Sequence, residues 1–216
     1  MPDYAVMNQY LYTGKAEQVK TMTEEGLAES RPVKEVLEDG LIAGMSVVGE
    51  DFKQNRLYVP EVLIAARAMK AGMGILKPLL TLLQEGDSPS AGTVVMATVK
   101  GDLHDIGKNL VCMMSEGAGF TVVNLGVDQG AENIVNAVKQ HRAHIVGLSA
   151  LLTTTMVYMK TIIEALKEEG LDVKVCVGGA PVSQMFADEI GADGYGGDAA
   201  SAVELFKSVS PVFAKK

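Results

Sequence analysis

Four short runs constrain this chain more than any other feature: TVVMATV at 93–99, TVVNLGV at 121–127, HIVGLSAL at 144–151 and VKVCVGG at 173–179. Each is apolar, rich in β-branched residues and too short for a buried helix. Runs of that kind suit strands covered on both faces, as in a parallel sheet. A fifth and weaker strand candidate is GADGYGG at 191–197. Helical patterns fill the intervals: Lys108 to Glu116, Ala131 to His141, Thr154 to Glu169, Val182 to Ile190 and Ala199 to Ser208. Strands alternating with helices predict a doubly wound, flavodoxin- or Rossmann-like domain with a five-stranded parallel sheet over residues 91–213.

The preceding residues carry only the helical rhythm. Val36, Leu37, Leu41, Met45 and Val48 recur at three- and four-residue spacings, and such spacing lines one face of a helix. Ser30 is a candidate N-cap before Pro32, and proline is tolerated in a first turn. A second long pattern starts near Pro60, and AEQVKTMTEEGLAE forms a shorter amphipathic segment. A helical bundle is therefore expected over residues 1–88. The turn-rich stretch EGDSPSAG, Glu85 to Gly92, is the expected joint and hinge.

Charge and motif content remove several function classes. A net charge of −8 over 216 residues leaves no basic stripe for nucleic acid. No apolar run reaches the roughly 18–20 residues that span a bilayer, and MPDYAVMNQYLYTG has no signal-peptide pattern. The expectation is a cytoplasmic protein without membrane or nucleic-acid partners. The two cysteines, Cys112 and Cys176, sit in apolar runs and form no CxxC pair, so they are read as buried free thiols.

In a doubly wound sheet, ligands bind beyond the carboxyl ends of the strands. Three unusual segments fall there: GDLHDIG after the first strand, SALLTTT after the third and GGAP after the fourth. GDLHDIG is no dinucleotide fingerprint, because leucine and histidine stand where backbone must approach pyrophosphate. The following GKN lacks the hydroxyl of a phosphate-binding loop, and one histidine with nearby aspartates is too few ligands for zinc. A lone histidine does suffice where a macrocycle fills the other metal positions. A carboxylate two residues away can then take its second ring N–H and fix the tautomer. Taken singly, His104 would be an ordinary loop histidine. Asp105 would be a helix cap, Thr153 or Thr154 an N-cap, and His141 and His144 edge residues.

Together, DLHDIG (Asp102, His104, Gly107), SAL (Ser149, Leu151) and GG (Gly178, Gly179) resemble the DxHxxG…SxL…GG signature of cobalamin-binding domains. The stretch from Gly44 to Leu80 is similar to the helical cap of methionine synthase and of the corrinoid proteins of anaerobic methyltransferase systems. The resemblance implies a corrinoid bound base-off/His-on, with the tail base threaded into the α/β core. His104 would ligate cobalt, Asp102 would accept its other N–H, and Thr155 would stand where methionine synthase has a serine. The loop Gly101, Leu103, Asp105, Ile106 and Gly107 would surround the ligand. Ser149, Leu151 and Thr153 would line the tail pocket against Gly178 and Gly179. Gly126 and Val127 would touch the corrin edge, and Tyr195, Gly196 and Ala199 would form the last contact segment. In the cap, Phe52, Val59 and Val62 match shielding positions, Val59 replacing a larger leucine, and Glu38 matches a carboxylate near the corrin side chains. The implied role is a carrier that shuttles a methyl group on cobalt and does not turn over alone. Its implied partners are a substrate methyltransferase, an acceptor methyltransferase using tetrahydrofolate or a thiol, and a reductive activase. Two other readings share the motif: the cobalamin subunit of an adenosylcobalamin mutase, and a corrinoid or light sensor.

Overall fold

The computed structural model describes residues 3–82 and 91–212. The chain divides into two compact units, residues 1–89 with 117–119, and the remainder of 90–216. The expected Glu85–Gly92 joint lies outside the described residues as far as residue 90.

The first unit is helical: α1 (Tyr4–Tyr12), α2 (Ala16–Ala28), α3 (Val33–Glu35), α4 (Ala43–Lys53) and α5 (Val59–Leu82). Asp3 starts α1 by accepting the amide of Ala5 at 2.9 Å, as an N-cap should. Val36, Leu37, Leu41, Met45 and Val48 are all buried, as their spacing predicts. Between α3 and α4 the ladder widens into a π-helix, Val36–Ile42, which the apolar period does not reveal. Gly40 on this stretch and Gly44 at the start of α4 admit α1. A Cβ at Gly40 would meet Met7 Sδ at 2.9 Å, and one at Gly44 would meet Asn8 Oδ1 at 2.9 Å.

Ser30 differs from expectation. It does not cap the following helix but ends α2 in a left-handed conformation, φ +60°. Its amide donates to Leu27 O and that of Arg31 to Gly26 O, both at 3.0 Å. That pair of bonds is a Schellman motif, and Pro32 takes the N-cap position instead. Among the described residues no helix is long and apolar enough to cross a membrane.

The second unit is a five-stranded, all-parallel sheet in the order β2-β1-β3-β4-β5. Its strands are β1 (Thr93–Thr98), β2 (Thr121–Asn124), β3 (Ile145–Ser149), β4 (Lys174–Gly178) and β5 (Gly194–Gly196). The helices are α6 (Ile106–Gly117), α7 (Ala131–His141), α8 (Thr153–Met156), α9 (Tyr158–Glu168), α10 (Gln184–Ile190) and α11 (Ala199–Val209). Side chains alternate between faces along each strand. Val95, Ala97, Val146, Leu148, Val175 and Val177 pack with Ile134, Val138, Ile162, Leu166 and Ile190 of α7, α9 and α10. The opposite face presents Met96, Gly147, Ser149, Cys176 and Gly178 towards residues of α6 and α11.

The strand order places β3 directly beside β1, with Thr98 paired to Ser149. The chain winds one way from β1 to β2 and the other way from β3 onward, so the β1/β3 boundary is the topological switch point. Ligand crevices of open α/β sheets form there.

Candidate functional site

The loop after β1 is tied down on every side. Gly101, at φ +83°, occupies the left-handed region that glycine enters without strain. Its amide donates to Asp128 Oδ1 at 2.7 Å. Asp102 N–H donates to Val99 O at 3.1 Å, and the buried Thr98 hydroxyl donates to His104 O at 3.0 Å.

Asp102 is fully buried, yet five donors converge on it. Oδ1 accepts the His104 amide at 3.0 Å and lies 2.8 Å from His104 Nδ1. Oδ2 accepts the amides of Leu151 at 2.8 Å and Leu152 at 3.4 Å. The Thr155 hydroxyl stands 2.7 Å from the same oxygen. Burial alone would push the carboxyl up. The bonds from Thr155, the Leu151 and His104 amides and the His104 ring outweigh it and hold Asp102 well below the usual carboxylate range. An ionised carboxylate only accepts, so Nδ1 of His104 carries the proton and a neutral ring keeps its free lone pair on Nε2.

The ring is half exposed, at 52 %. Around it stand Leu103, Ile106, Leu151 and Leu152, which are 71 %, 81 %, 45 % and 43 % exposed. So much apolar surface beside one imidazole is the mark of a surface meant to be covered. Below the loop a cavity of about 540 Å³ runs between the sheet and helices α6 and α11. Glycines keep it open: Gly147 and Gly178 add no side chain to its strand wall. At Gly179, φ is +124° and a Cβ would lie 1.8 Å from Ala150 O. At Gly107 a Cβ would meet nothing within 4 Å.

His104, Leu103, Asp105, Ile106, Gly107, Ser149, Leu151, Gly178, Gly179 and Gly196 all line this cavity. Gly101 and Asp102 hold the loop from beneath. Other expected residues stand elsewhere. Thr153 is exposed and outside the lining. Neither Thr153 nor Thr154 is an N-cap, since Leu152 holds that position and has no side-chain cap bond. The carboxylate of Asp102 takes the amides there instead. Tyr195 packs against the core on the other sheet face, because it is in register with Val177 while Gly196 pairs with Gly178. Ala199 is buried at the start of α11, and Ala202 one turn later reaches the cavity. Gly126 and Val127 are half-buried beyond β2 and outside the lining. Asp105 accepts the side-chain amide of Asn109 at 2.8 Å.

His144 accepts the Thr93 amide on Nδ1 at 3.1 Å, whereas His141 is exposed. In the helical unit, Glu38 and Phe52 are half-buried, Val59 is 37 % exposed and Val62 is fully buried. Val62 therefore presents no surface to a ligand in this conformation. Both cysteines are free and buried.

The sequence reading missed Lys108, Asn109, Asn124 and Asp128, which brace the loop, and Met96, Ala202, Leu205 and Phe206, which line the cavity. The cavity residues of the strands could have been found by alternation from Ser149 and Gly178. Among the described residues no cluster of three or more histidine, cysteine or acidic side chains is set to hold a metal. A metal at Nε2 must therefore bring its other ligands with it, and an apolar rim with a deep cavity fits a tailed macrocycle.

Comparison with known proteins agrees with that fit. Residues 92–204 match the model of a B12 binding domain, and residues 6–77 match a second B12 binding domain model. A corrinoid protein of Desulfitobacterium hafniense (strain Y51) is 40% identical over 205 residues, 94% of this chain and 95% of that protein. The dimethylamine corrinoid protein of Methanosarcina barkeri is 45% identical over 198 residues, 90% of this chain and 91% of that one. Among solved structures, the methanol:cobalamin methyltransferase complex MtaBC from Methanosarcina barkeri contains a chain that matches with a TM-score of 0.84. The match has 29% identity and covers 94% of this chain and 77% of that one. A cobalamin-binding protein from Desulfitobacterium hafniense DCB-2 matches with a TM-score of 0.76 and 32% identity, covering 97% and 99%. The chain belongs to the corrinoid proteins of methyltransferase systems, and its cofactor is a corrinoid.

Proposed function

We propose that this protein binds its corrinoid base-off/His-on and carries a methyl group between two methyltransferases. His104 Nε2 would ligate the cobalt. The nucleotide tail would occupy the cavity lined by Ser149, Leu151, Gly178 and Gly179. The observation that carries this reading is the buried Asp102 carboxylate, whose five donors fix the proton on His104 Nδ1 and leave Nε2 for the metal.

When bound, the corrinoid supplies the chemistry of methyl uptake and release at cobalt. The chain supplies ligation and proton control. Asp102 orients the ring and makes it a stronger donor. Asp102 Oδ1, 2.8 Å from Nδ1, would hold the ring's proton on that nitrogen and face any positive charge the ring carries. The Thr155 hydroxyl steadies the other oxygen, as a serine would, and its methyl lies toward Gly101. In the helical unit, Phe52, Val59 and Glu38 are proposed to meet the upper face and edge of the corrin.

The partners on this reading are a substrate methyltransferase, an acceptor methyltransferase using tetrahydrofolate or a thiol, and a reductive activase. Relatives named for dimethylamine and trimethylamine, each 45% identical, make a methylamine the first donor to test. The ligand assignment is tested with His104→Ala loaded with cob(II)alamin. With ¹⁵N-histidine in the protein, loss of the ¹⁵N doublet splitting from its electron paramagnetic resonance spectrum is expected, and a retained ¹⁵N doublet would sink the assignment.

A further inference from the structure

Lys108 lies in the first turn of α6 and is 2 % exposed. Lysine is seldom buried so fully without a carboxylate partner. Here both oxygens that hold the ammonium are neutral amides, Asn109 Oδ1 at 2.8 Å and Asn124 Oδ1 at 2.7 Å. A cation taken out of water is costly to hold with neutral groups alone, so what it orders is informative.

The cation sets the direction of both amides. With each Oδ1 turned to the ammonium, each NH₂ must point away. Asn124 Nδ2 donates to Asn109 Oδ1 at 3.0 Å, and Asn109 Nδ2 donates to Asp105 Oδ2 at 2.8 Å. Asn124 Oδ1 also accepts the Gly126 amide at 3.0 Å. An unbroken chain of hydrogen bonds thus runs from Gly126, beyond β2, to Asp105, the residue after His104. A neutral side chain at position 108 would leave both amides free to turn over and release Asp105.

The other end of the same loop has its own tie to the β2 side. Asp128, at φ +53°, accepts the Gly101 amide and donates its own to Asp102 O at 3.0 Å. The His104 loop is therefore clamped at both ends against the loop after β2, and Lys108 is the centre of the clamp nearer the imidazole.

We propose that Lys108 is a positioning residue for His104. Through Asn109, Asn124 and Asp105 it fixes the loop so that Nε2 is presented in one orientation before the cofactor arrives. The proposal rests on the reading of His104 as the axial ligand.

The test uses the full chain labelled with ¹⁵N-histidine and loaded with cob(II)alamin. Axial coordination by a labelled imidazole gives doublet splitting in the electron paramagnetic resonance spectrum, where unlabelled nitrogen gives a triplet. Asn124 is exposed, so Asn124→Ala removes one acceptor of the ammonium with little threat to folding. It should lower the affinity for cob(II)alamin about tenfold, as loss of supporting partners does at other metal sites. It should also mix doublet with unsplit signal. Lys108→Met should lose more than Asn124→Ala, and if it does not fold, Asn124→Ala decides. Parental affinity and a full doublet in Asn124→Ala, or in a folded Lys108→Met, would overturn the positioning role. A parent protein without the doublet would instead remove the ligand assignment, and the positioning role with it.

Discussion

Asp102→Asn is the most informative single change, because it removes charge while keeping shape. Five donors meet the carboxylate, and an amide offers one oxygen. That oxygen serves best at the Oδ2 position, where Leu151, Leu152 and Thr155 donate. The NH₂ then faces the His104 amide and ring. The part-buried His104 N–H loses its acceptor, a cost of about 1–2 kcal/mol. The Leu151 and Thr155 bonds, at 2.8 and 2.7 Å, lose charge assistance worth about 1 kcal/mol each. Relief from burying an ionised group returns part of this, so the net loss is about 2–3 kcal/mol. The same NH₂ needs an acceptor at Nδ1, which moves the ring proton to Nε2 and blocks metal binding. Two measurements on ligand-free protein check this: the ¹⁵N shifts of the His104 ring, and the exchange protection of the slowest amides in β1 and β3. A variant that keeps the proton on Nδ1 with stability within about 0.5 kcal/mol of the parent would refute the reasoning.

Three further changes follow from the same geometry. Thr155→Val leaves Asp102 Oδ2 with amide donors only and should cost about 1.5–3 kcal/mol in denaturant unfolding. Thr155→Ser keeps the hydroxyl and should cost under about 1 kcal/mol for the lost methyl. Gly107→Ala places a methyl where nothing stands within 4 Å, in a helix. It should stabilise the ligand-free protein by about 0.5–1 kcal/mol while weakening corrinoid binding. A melting curve and a cobalamin titration on the same sample separate the two effects. Burial raises the Cys176 thiol to about 12 and the Cys112 thiol to about 11. Since alkylation needs the thiolate, iodoacetamide at pH 8 should leave both unmodified in the folded protein and modify both in denaturant. Rapid labelling of the native chain would contradict their burial.

The order of secondary structure was legible because it is written in local periods. The β-branched runs became β1 to β4, GADGYGG supplied β5, and Val36 through Val48 went to the core. Asp102 and His104 were legible as a pair for the same reason: two residues on one loop need no long-range fold to meet. Ser30 was misread because a serine before a proline suits an N-cap locally, and only the end of α2 shows that it closes the helix behind it. The π-helix at Val36–Ile42 keeps nearly the same apolar face as an α-helix, so hydrophobic spacing does not mark it.

What the chain order alone does not contain is which strands become neighbours. β3 lies beside β1, and that one fact brings Leu151, Leu152 and Thr155 onto Asp102. Alternation then sends Tyr195 to one face and Gly196 to the other. Lys108 meets Asn124, at the end of β2, only because β2 lies beside β1, after which α6 follows. The sequence by itself determined the histidine proposed as ligand, the carboxylate beside it and the glycines that fall at the strand ends. Tertiary structure decided how that carboxylate is held ionised and how the loop is clamped. Both depend on donors far apart in the chain, which only sheet packing can bring to a common point.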